Sequence, residues 1–245
     1  MAFTTFPLIV EHSRMITPSV LELGFRRADG KDLGYVAGQF LNIHFETEGK
    51  PTHRSYSIAN APRAGGTLDI AIAPVEGGRA TALLFGLEPG DELQASGPFG
   101  RFVLRDDPPC RYVWVGTGTG VTPYRAMLPG FADRLQEVGY SAVMLMGVQY
   151  RKDKLYAADF EAFAKRHAGF RFQACLSREA EPDPGLNETK GYVQQQFEAL
   201  ALNPEKDIVY LCGNPDMIDD AVEILKGKGF ELKNLRREKY LPARS

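Results

Sequence analysis

Five residues near the middle of the 245-residue chain, Arg105-Asp106-Asp107-Pro108-Pro109, separate two segments whose hydrophobic periods demand different architectures. Before them, short runs at Leu41 to Phe45, Arg54 to Ala59, Leu68 to Pro74 and Glu92 to Ser96 are punctuated by Gly and Pro, the pattern of an antiparallel barrel or sandwich. One helical insert, Arg79 to Gly86, follows Gly77-Gly78. After them, apolar runs at Tyr112 to Val115, Ala142 to Val148, Phe170 to Leu176 and Ile208 to Cys212 alternate with helical stretches expected at Pro123 to Glu137, Lys154 to His167, Tyr192 to Ala201 and Pro215 to Lys226. That alternation predicts right-handed crossovers and a parallel sheet covered on both faces. The expected organisation is an antiparallel β-barrel domain over 1–104, a linker over 105–109 and an α/β parallel-sheet domain over 110–245.

Two places carry chemistry. Val115-Gly116-Thr117-Gly118-Thr119-Gly120-Val121-Thr122-Pro123 stands after an apolar run and before a helix, where glycines let backbone amides approach a phosphate and the helix dipole favours the anion. The dinucleotide fingerprint G-x-G-x-x-G is broken, because Pro123 or Val121 occupies the third glycine position. A ligand-free tight turn fits the same residues. The second place is Arg54-Ser55-Tyr56-Ser57, with Gly78-Arg79-Ala80-Thr81 opening the helical insert. Arg54 offers a fork to a phosphate, Tyr56 a face for stacking and Ser57 a hydroxyl for a ring heteroatom. Taken singly, each piece is also an ordinary strand or turn.

Charge and cysteine content narrow the classes. A net charge of −2 gives no general case for nucleic acid or a membrane surface, and no apolar run approaches the ~20 residues that a span requires. The charge is unevenly spread. Lys226, Lys228, Lys233, Arg236, Arg237, Lys239 and Arg244 stand against Glu231 and Glu238, a net of +5 over the last 20 residues. This is either a solvated face or a docking patch for an acidic partner. Cys110, Cys175 and Cys212 lack metal-ligand spacing and read as reduced thiols of a cytoplasmic protein with no metal site. His12, His44, His53 and His167 show no pairing for zinc or a triad.

Taken in order along nearly the whole chain, these motifs resemble the ferredoxin–NADP+ reductases, in the bacterial branch of the plant-type flavoprotein reductases. The resemblance implies FAD held by Arg54, Ser55, Tyr56 and Ser57, with Arg54 on the pyrophosphate, Tyr56 stacked on the isoalloxazine and Ser57 near its N5. Gly78, Arg79, Ala80 and Thr81 would complete the pyrophosphate cradle. The broken fingerprint becomes intelligible, since the family's pyridine-nucleotide loop looks like Gly-Thr-Gly-x-Gly-x-x-Pro, matched by Gly116, Thr117, Gly118, Thr119, Gly120 and Pro123. Leu211-Cys212-Gly213-Asn214-Pro215-Asp216-Met217 matches its Cys-Gly-x-x-x-Met, which places Cys212, Gly213 and Met217 at the nicotinamide. Ser177, Arg178, Lys190 and Tyr192, with Arg151, resemble elements that meet the 2′-phosphate and adenine of NADP(H). Glu238-Lys239-Tyr240 resembles the acidic-x-aromatic ending, so Tyr240 would cover the second flavin face, and Glu238 would join Ser57 and Cys212 at the reacting centre. Leu241-Pro242-Ala243-Arg244-Ser245 extends past it. Gly97-Pro98-Phe99-Gly100 resembles a turn near the flavin, though a bare β-turn fits as well.

The implied activity is hydride transfer between NADP(H) and FAD, with the nicotinamide meeting flavin N5 in an interdomain cleft, and single-electron exchange with ferredoxin or flavodoxin. Arg63, Arg79, Arg101 and the basic tail would serve such an acidic partner. A monomer without nucleic-acid or membrane partners is expected. An oxygenase-type or free-flavin NAD(P)H reductase on the same scaffold is the alternative.

Overall fold

The computed structural model describes residues 4–47, 49–63 and 65–241. It divides into two compact units, Met1–Leu104 with Thr122–Met127, and Arg105–Val121 with Leu128–Ser245.

The first unit is built on six strands: β1 (Phe6–Met15), β2 (Leu21–Arg27), β3 (Phe40–Thr47), β4 (Lys50–Ser57), β5 (Leu68–Ile72) and β6 (Glu92–Phe99), with helix α1 (Arg79–Phe85) before the last. Every pairing is antiparallel, in the order β4-β3-β6-β1-β2-β5. The ends of the sheet meet where Ile58, just past β4, bridges Ile70 of β5 and the Ala59 amide donates to the Asp69 carbonyl (2.7 Å), so the sheet closes as a barrel. Closure removes the exposed edges that an open sheet would present. Leu8, Val10, Leu23, Phe25, Leu41, Ile43, Leu68 and Ile70 fill the interior. β1 and β2 lie outside the runs that the sequence marks. The second half of β1, Glu11-His12-Ser13-Arg14-Met15, is polar because it faces charge: Arg14 Nη2 lies 2.6 Å and His12 Nε2 3.3 Å from the fully buried carboxylate of Glu22 on β2. Arg125 approaches the same carboxylate (3.9 Å) and that of Asp69 (3.8 Å), and donates to the Ala59 carbonyl (3.1 Å).

The second unit carries β7 (Arg111–Thr117), β8 (Ser141–Val148), β9 (Phe170–Leu176), β10 (Glu188–Lys190), β11 (Asp207–Gly213) and β12 (Leu235–Lys239), all parallel, in the order β10-β9-β8-β7-β11-β12. Helices α2 (Thr122–Arg134), α3 (Ala157–Arg166) and α4 (Pro215–Gly227) accompany them. β8 and β11 are apolar almost throughout because parallel strands covered on both faces expose neither. The chain runs outward from β7 to β10, then returns to β11 on the other side of β7. Such a reversal opens a crevice at the carboxyl ends of the two central strands, the usual ligand position in these sheets.

Three sequence expectations change. Residues 192–201 are not one α-helix: a 3₁₀ turn, Val193–Gln196, leads into further turns, with Ala201 left-handed (φ 46°). The apolar spacing of Val193 and Phe197 is real and both are buried, but four residues of 3₁₀ suffice to bury them. Part of the basic tail forms β12 rather than a solvated face. Arg236, 8% exposed, pairs with Asp107 (2.9 Å) and Lys239 with Asp219 (2.6 Å), while Lys233, before the strand, stays exposed beside Glu231 (3.0 Å). Gly97 to Phe99 belong to β6, where Phe99 pairs with Phe40 of β3, so they are part of the sheet rather than a free β-turn. Residues Pro242 to Ser245, including Arg244, lie outside the described residues. Among the described residues no helix is long and apolar enough to cross a membrane.

Candidate functional site

In the first unit, β4 presents the Arg-x-Tyr-Ser stretch, and strand alternation puts Arg54 and Tyr56 on one face and Ser55 and Ser57 on the other. Tyr56 sits opposite Leu41 and packs half-buried against the barrel core, where burial pushes its phenol up to about 12. It is therefore a neutral, anchored ring. Arg54 is held by a bond to the His53 carbonyl (2.8 Å) and lies over the Phe45 ring. Ser55 donates to Asn42 Oδ1 (2.7 Å), a bond within the sheet that gives this hydroxyl a structural use, while Ser57 is buried at 6% exposure. Gly78 stands at the start of α1 with extended geometry and no side-chain cap; a Cβ there would come within 2.9 Å of the Val75 carbonyl. Arg79 is exposed, Ala80 is buried, and Thr81 Oγ1 accepts from the Val75 amide (3.2 Å). An anchored aromatic, an arginine on its strand face and an uncapped helix start fit a flavin with a pyrophosphate.

In the second unit the predicted nucleotide residues all fall at the carboxyl ends of the parallel strands. The glycine loop leaves β7 at Thr117, passes through a 3₁₀ turn at Gly118–Val121 and enters α2 with Pro123 in its first turn, where a missing N–H costs nothing. Its three glycines do different jobs. Gly118 is left-handed (φ 53°) and has open space where a Cβ would stand, so the crest of the loop is bare, as a phosphate cradle requires. Gly120 has no such freedom: a Cβ would meet the Cys212 carbonyl at 2.4 Å. Gly116 is buried at the strand end.

The second glycine motif is the other half of that contact. Gly213 has φ 116°, and a Cβ there would lie 2.6 Å from both the carbonyl and Oγ1 of Thr117. Thr117 Oγ1 accepts from the Asn214 amide (2.9 Å), and Asn214 Oδ1 caps α4 by accepting from the amides of Asp216 (2.8 Å) and Met217 (3.1 Å). Both loops are thus locked backbone against backbone at the reversal between β7 and β11.

Cys212 is fully buried and registered beside Glu238 of β12; the Tyr240 amide donates to the Gly213 carbonyl (2.8 Å). Burial pushes the thiol well up, the Glu238 carboxylate pushes it further, and a bond with the Tyr240 side chain opposes them. Cys212 is therefore a neutral thiol, unsuited to nucleophilic work. The structure brings Cys212, Glu238 and Tyr240 together at one strand end.

Farther along the same edge, Lys190 pairs in register with Leu176, the last residue of β9 before Ser177 and Arg178. Neither the Arg178 nor the Lys190 side chain makes an ion pair with a described residue, and both are exposed, as is Tyr192 at 61%. Arg151 differs. Its guanidinium is bonded through Nε and Nη2 to the buried carboxylate of Glu188 (2.8 to 3.0 Å), so unlike Arg178 and Lys190 it is already engaged within the protein. Glu188, Lys154 and Asn214 went unmarked in the sequence. Asn214 carried a local signal, an Asn directly before Pro and a helical stretch. Glu188 carried none, since its partners stand 34 and 37 residues upstream. Among the described residues no three His, Cys, Asp or Glu side chains are placed to hold a metal.

Comparison with known proteins agrees with this geometry. Residues 7–104 match the oxidoreductase FAD-binding domain and residues 114–223 the oxidoreductase NAD-binding domain. The chain is 35% identical over 234 residues to ferredoxin–NADP reductase B of Sorangium cellulosum, covering 93% of this chain and 94% of that protein. It is 29% identical to the toluate 1,2-dioxygenase electron transfer component of Pseudomonas putida, covering 94% of this chain and 66% of that one. The crystal structure of the Amycolatopsis cytochrome P450 reductase GcoB superposes with a TM-score of 0.86 at 27% identity, over 100% of this chain and 72% of that one. With an antiparallel FAD-binding unit, a parallel-sheet unit for a pyridine nucleotide, and relatedness along nearly its whole length, this chain belongs to the ferredoxin–NADP+ reductase family of flavin-dependent oxidoreductases.

Proposed function

We propose that the protein is an NADPH-dependent reductase that passes electrons singly to a small acidic electron carrier, ferredoxin or flavodoxin. The observation that carries the choice of NADP(H) is the pair of exposed cations, Arg178 and Lys190, which make no ion pair with a described residue and stand at the carboxyl ends of the adjacent strands β9 and β10. A 2′-phosphate placed there gains charge-assisted bonds of about 1.5–3 kcal/mol each, roughly 10- to 100-fold in affinity per contact. NADH lacks the group that earns this preference.

FAD, when bound, supplies the capacity to take up a hydride as an electron pair and to release the electrons one at a time. The chain's own residues do the rest. Arg54 and the start of α1 would hold the pyrophosphate, the anchored Tyr56 ring would fix the isoalloxazine plane, and Ser57 would offer its hydroxyl at N5. Gly116 to Gly120 would seat the nucleotide pyrophosphate, and the bare crest at Gly118 leaves room for it. Cys212, neutral and buried, would supply a close-packed wall beside the nicotinamide, and the Tyr240 ring would be the aromatic next to it at the end of β11.

The deciding experiment is anaerobic stopped-flow reduction of the purified flavoprotein by NADPH and, separately, by NADH. Fast bleaching by NADPH with slow bleaching by NADH is expected, and replacing Arg178 and Lys190 together by Ala should raise KM for NADPH while leaving NADH nearly untouched. Similarity to the dioxygenase component and to GcoB favours one rival, a reductase that serves an oxygenase. Equal or faster reduction by NADH would select it.

A further inference from the structure

The carboxylate of Glu188 has no exposure, yet it is charged, and its side chain is the hub of the edge that carries Arg178 and Lys190. It accepts from Arg151 Nε and Nη2 (2.8 to 3.0 Å), from the Asp183 amide (3.0 Å) and from Lys154 Nζ (3.0 Å). Arg151 in turn ties two loops together. Its Nη2 also donates to the Glu181 carbonyl (3.1 Å), and its amide donates to Glu179 Oε2 (2.9 Å). Beside it the Ser177 amide donates to the Val148 carbonyl (3.0 Å) and the Arg178 amide to the Gln149 carbonyl (2.9 Å). The loop after β8 is thereby laced to the loop between β9 and β10, with Glu188 beneath the lacing.

A buried carboxylate is tolerated only while its charge is compensated and its lone pairs are filled. If Arg151 swung out to a ligand phosphate, Glu188 would lose its principal partner in the interior. That loss exceeds what one charge-assisted bond at a solvent-exposed phosphate returns. Arg151 is therefore held in place, and the loop that carries Ser177 and Arg178 is fixed with it.

We propose that Glu188 is a positioning residue for nucleotide selectivity: through Arg151 it presets the Ser177-Arg178 loop beside Lys190, and Arg151 itself is not a ligand of the 2′-phosphate. This rests on the assignment of the 2′-phosphate to Arg178 and Lys190. The opposite arrangement, in which Glu188 sequesters a cation that would otherwise bind phosphate, makes the opposite prediction for one substitution.

The test is calorimetric binding of adenosine 2′,5′-bisphosphate and of 5′-AMP to the flavin-loaded protein and its Glu188→Gln variant, with KM and kcat for NADPH measured alongside. The expected result is bisphosphate binding weakened about tenfold or more, 5′-AMP binding within about twofold, a raised KM and an unchanged kcat. Unchanged or tighter bisphosphate binding overturns the inference, and tighter binding identifies Arg151 as a sequestered ligand. If Glu188→Gln does not fold, Glu188→Asp takes its place, since it keeps the charge and leaves Arg151 unaltered while drawing the carboxylate back from its fork. A loss of about tenfold for the bisphosphate supports the positioning role, and a loss of less than about threefold overturns it. Equal binding of both probes by the unaltered protein removes the 2′-phosphate assignment together with the inference. A preference undiminished in Glu188→Gln removes the inference alone.

Discussion

The amide of Tyr240 donates to the carbonyl of Gly213 at 2.8 Å, so the residue after β12 continues the ladder onto β11 and lies over the end of the strand that holds Cys212. The side chains of Tyr240 and Cys212 also interact.

All three cysteines are buried; burial raises the Cys110 thiol to about 11 and that of Cys175 to about 12, and it pushes the Cys212 thiol well above its ordinary value too. The native protein should show no fast-reacting thiol toward a disulfide reagent at pH 8, and all three should react in denaturant. Removing the Tyr240 ring should make one thiol react measurably faster, identified as Cys212 by peptide mapping. No change in labelling rate would show that Tyr240 does not shield it.

The three motif glycines should separate by substitution. Ala at Gly213 or Gly120 places a methyl within 2.4 to 2.6 Å of backbone atoms and should destabilise by several kcal/mol, in the range of about 1–3 for overpacking plus the strain of a positive φ at Gly213. Ala at Gly118 meets nothing, so only its φ of 53° is penalised, by about 1 kcal/mol. Its main effect should be on nucleotide affinity, because the methyl occupies the bare crest. Thermal melts and nucleotide titrations of the three variants check this ordering.

Asn214 is the hinge pin between the nucleotide loop and α4. Asn214→Ala removes the cap on the Asp216 and Met217 amides and should cost about 1 kcal/mol. Thr117→Val removes the acceptor for the Asn214 amide and should cost a similar amount. The two residues share one network, so the double variant should lose less than the sum of the single losses in chemical denaturation.

Acid should weaken the second unit through Glu188. Arg151 beside it holds the carboxyl at about 2, below its ordinary 4.5, so the folded state releases this proton more readily than the unfolded one. The stabilisation is complete above pH 4.5 and is lost as the pH falls toward 2. Melting temperatures of the unaltered protein and of Arg151→Lys should converge over that interval. A constant gap between them would mean that the pair does not govern acid stability.

Much of the architecture was legible because it rests on periodicity. The alternation before Arg105 and the buried runs after Pro109 specify an antiparallel and a parallel sheet whatever the details of packing, and the loop from Val115 to Pro123 announces its place between strand and helix. Where one period fits two structures, legibility ended. Val193 and Phe197 have helical spacing, but burying them required only a 3₁₀ turn. β12 was masked because Leu235-Arg236-Arg237-Glu238-Lys239 reads as charge, and an edge strand paired on one side tolerates charge where a central one does not.

The sequence by itself determined the order of the two units, the chemistry class of their glycine loops and the residue types available to a flavin and a nucleotide, because these follow from local pattern and spacing. Only the tertiary structure decided which charges are free and which glycines are obligatory. Arg151 and Glu188 are 37 residues apart, Arg236 and Asp107 are 129 apart, and Thr117 and the Asn214 amide are 97 apart. Coulombic pairing and steric overlap depend on distance through space. A parallel sheet gathers the ends of strands that are remote along the chain, so the partners that silence Arg151 and Arg236, and leave Arg178 and Lys190 exposed, exist only once the sheet has formed.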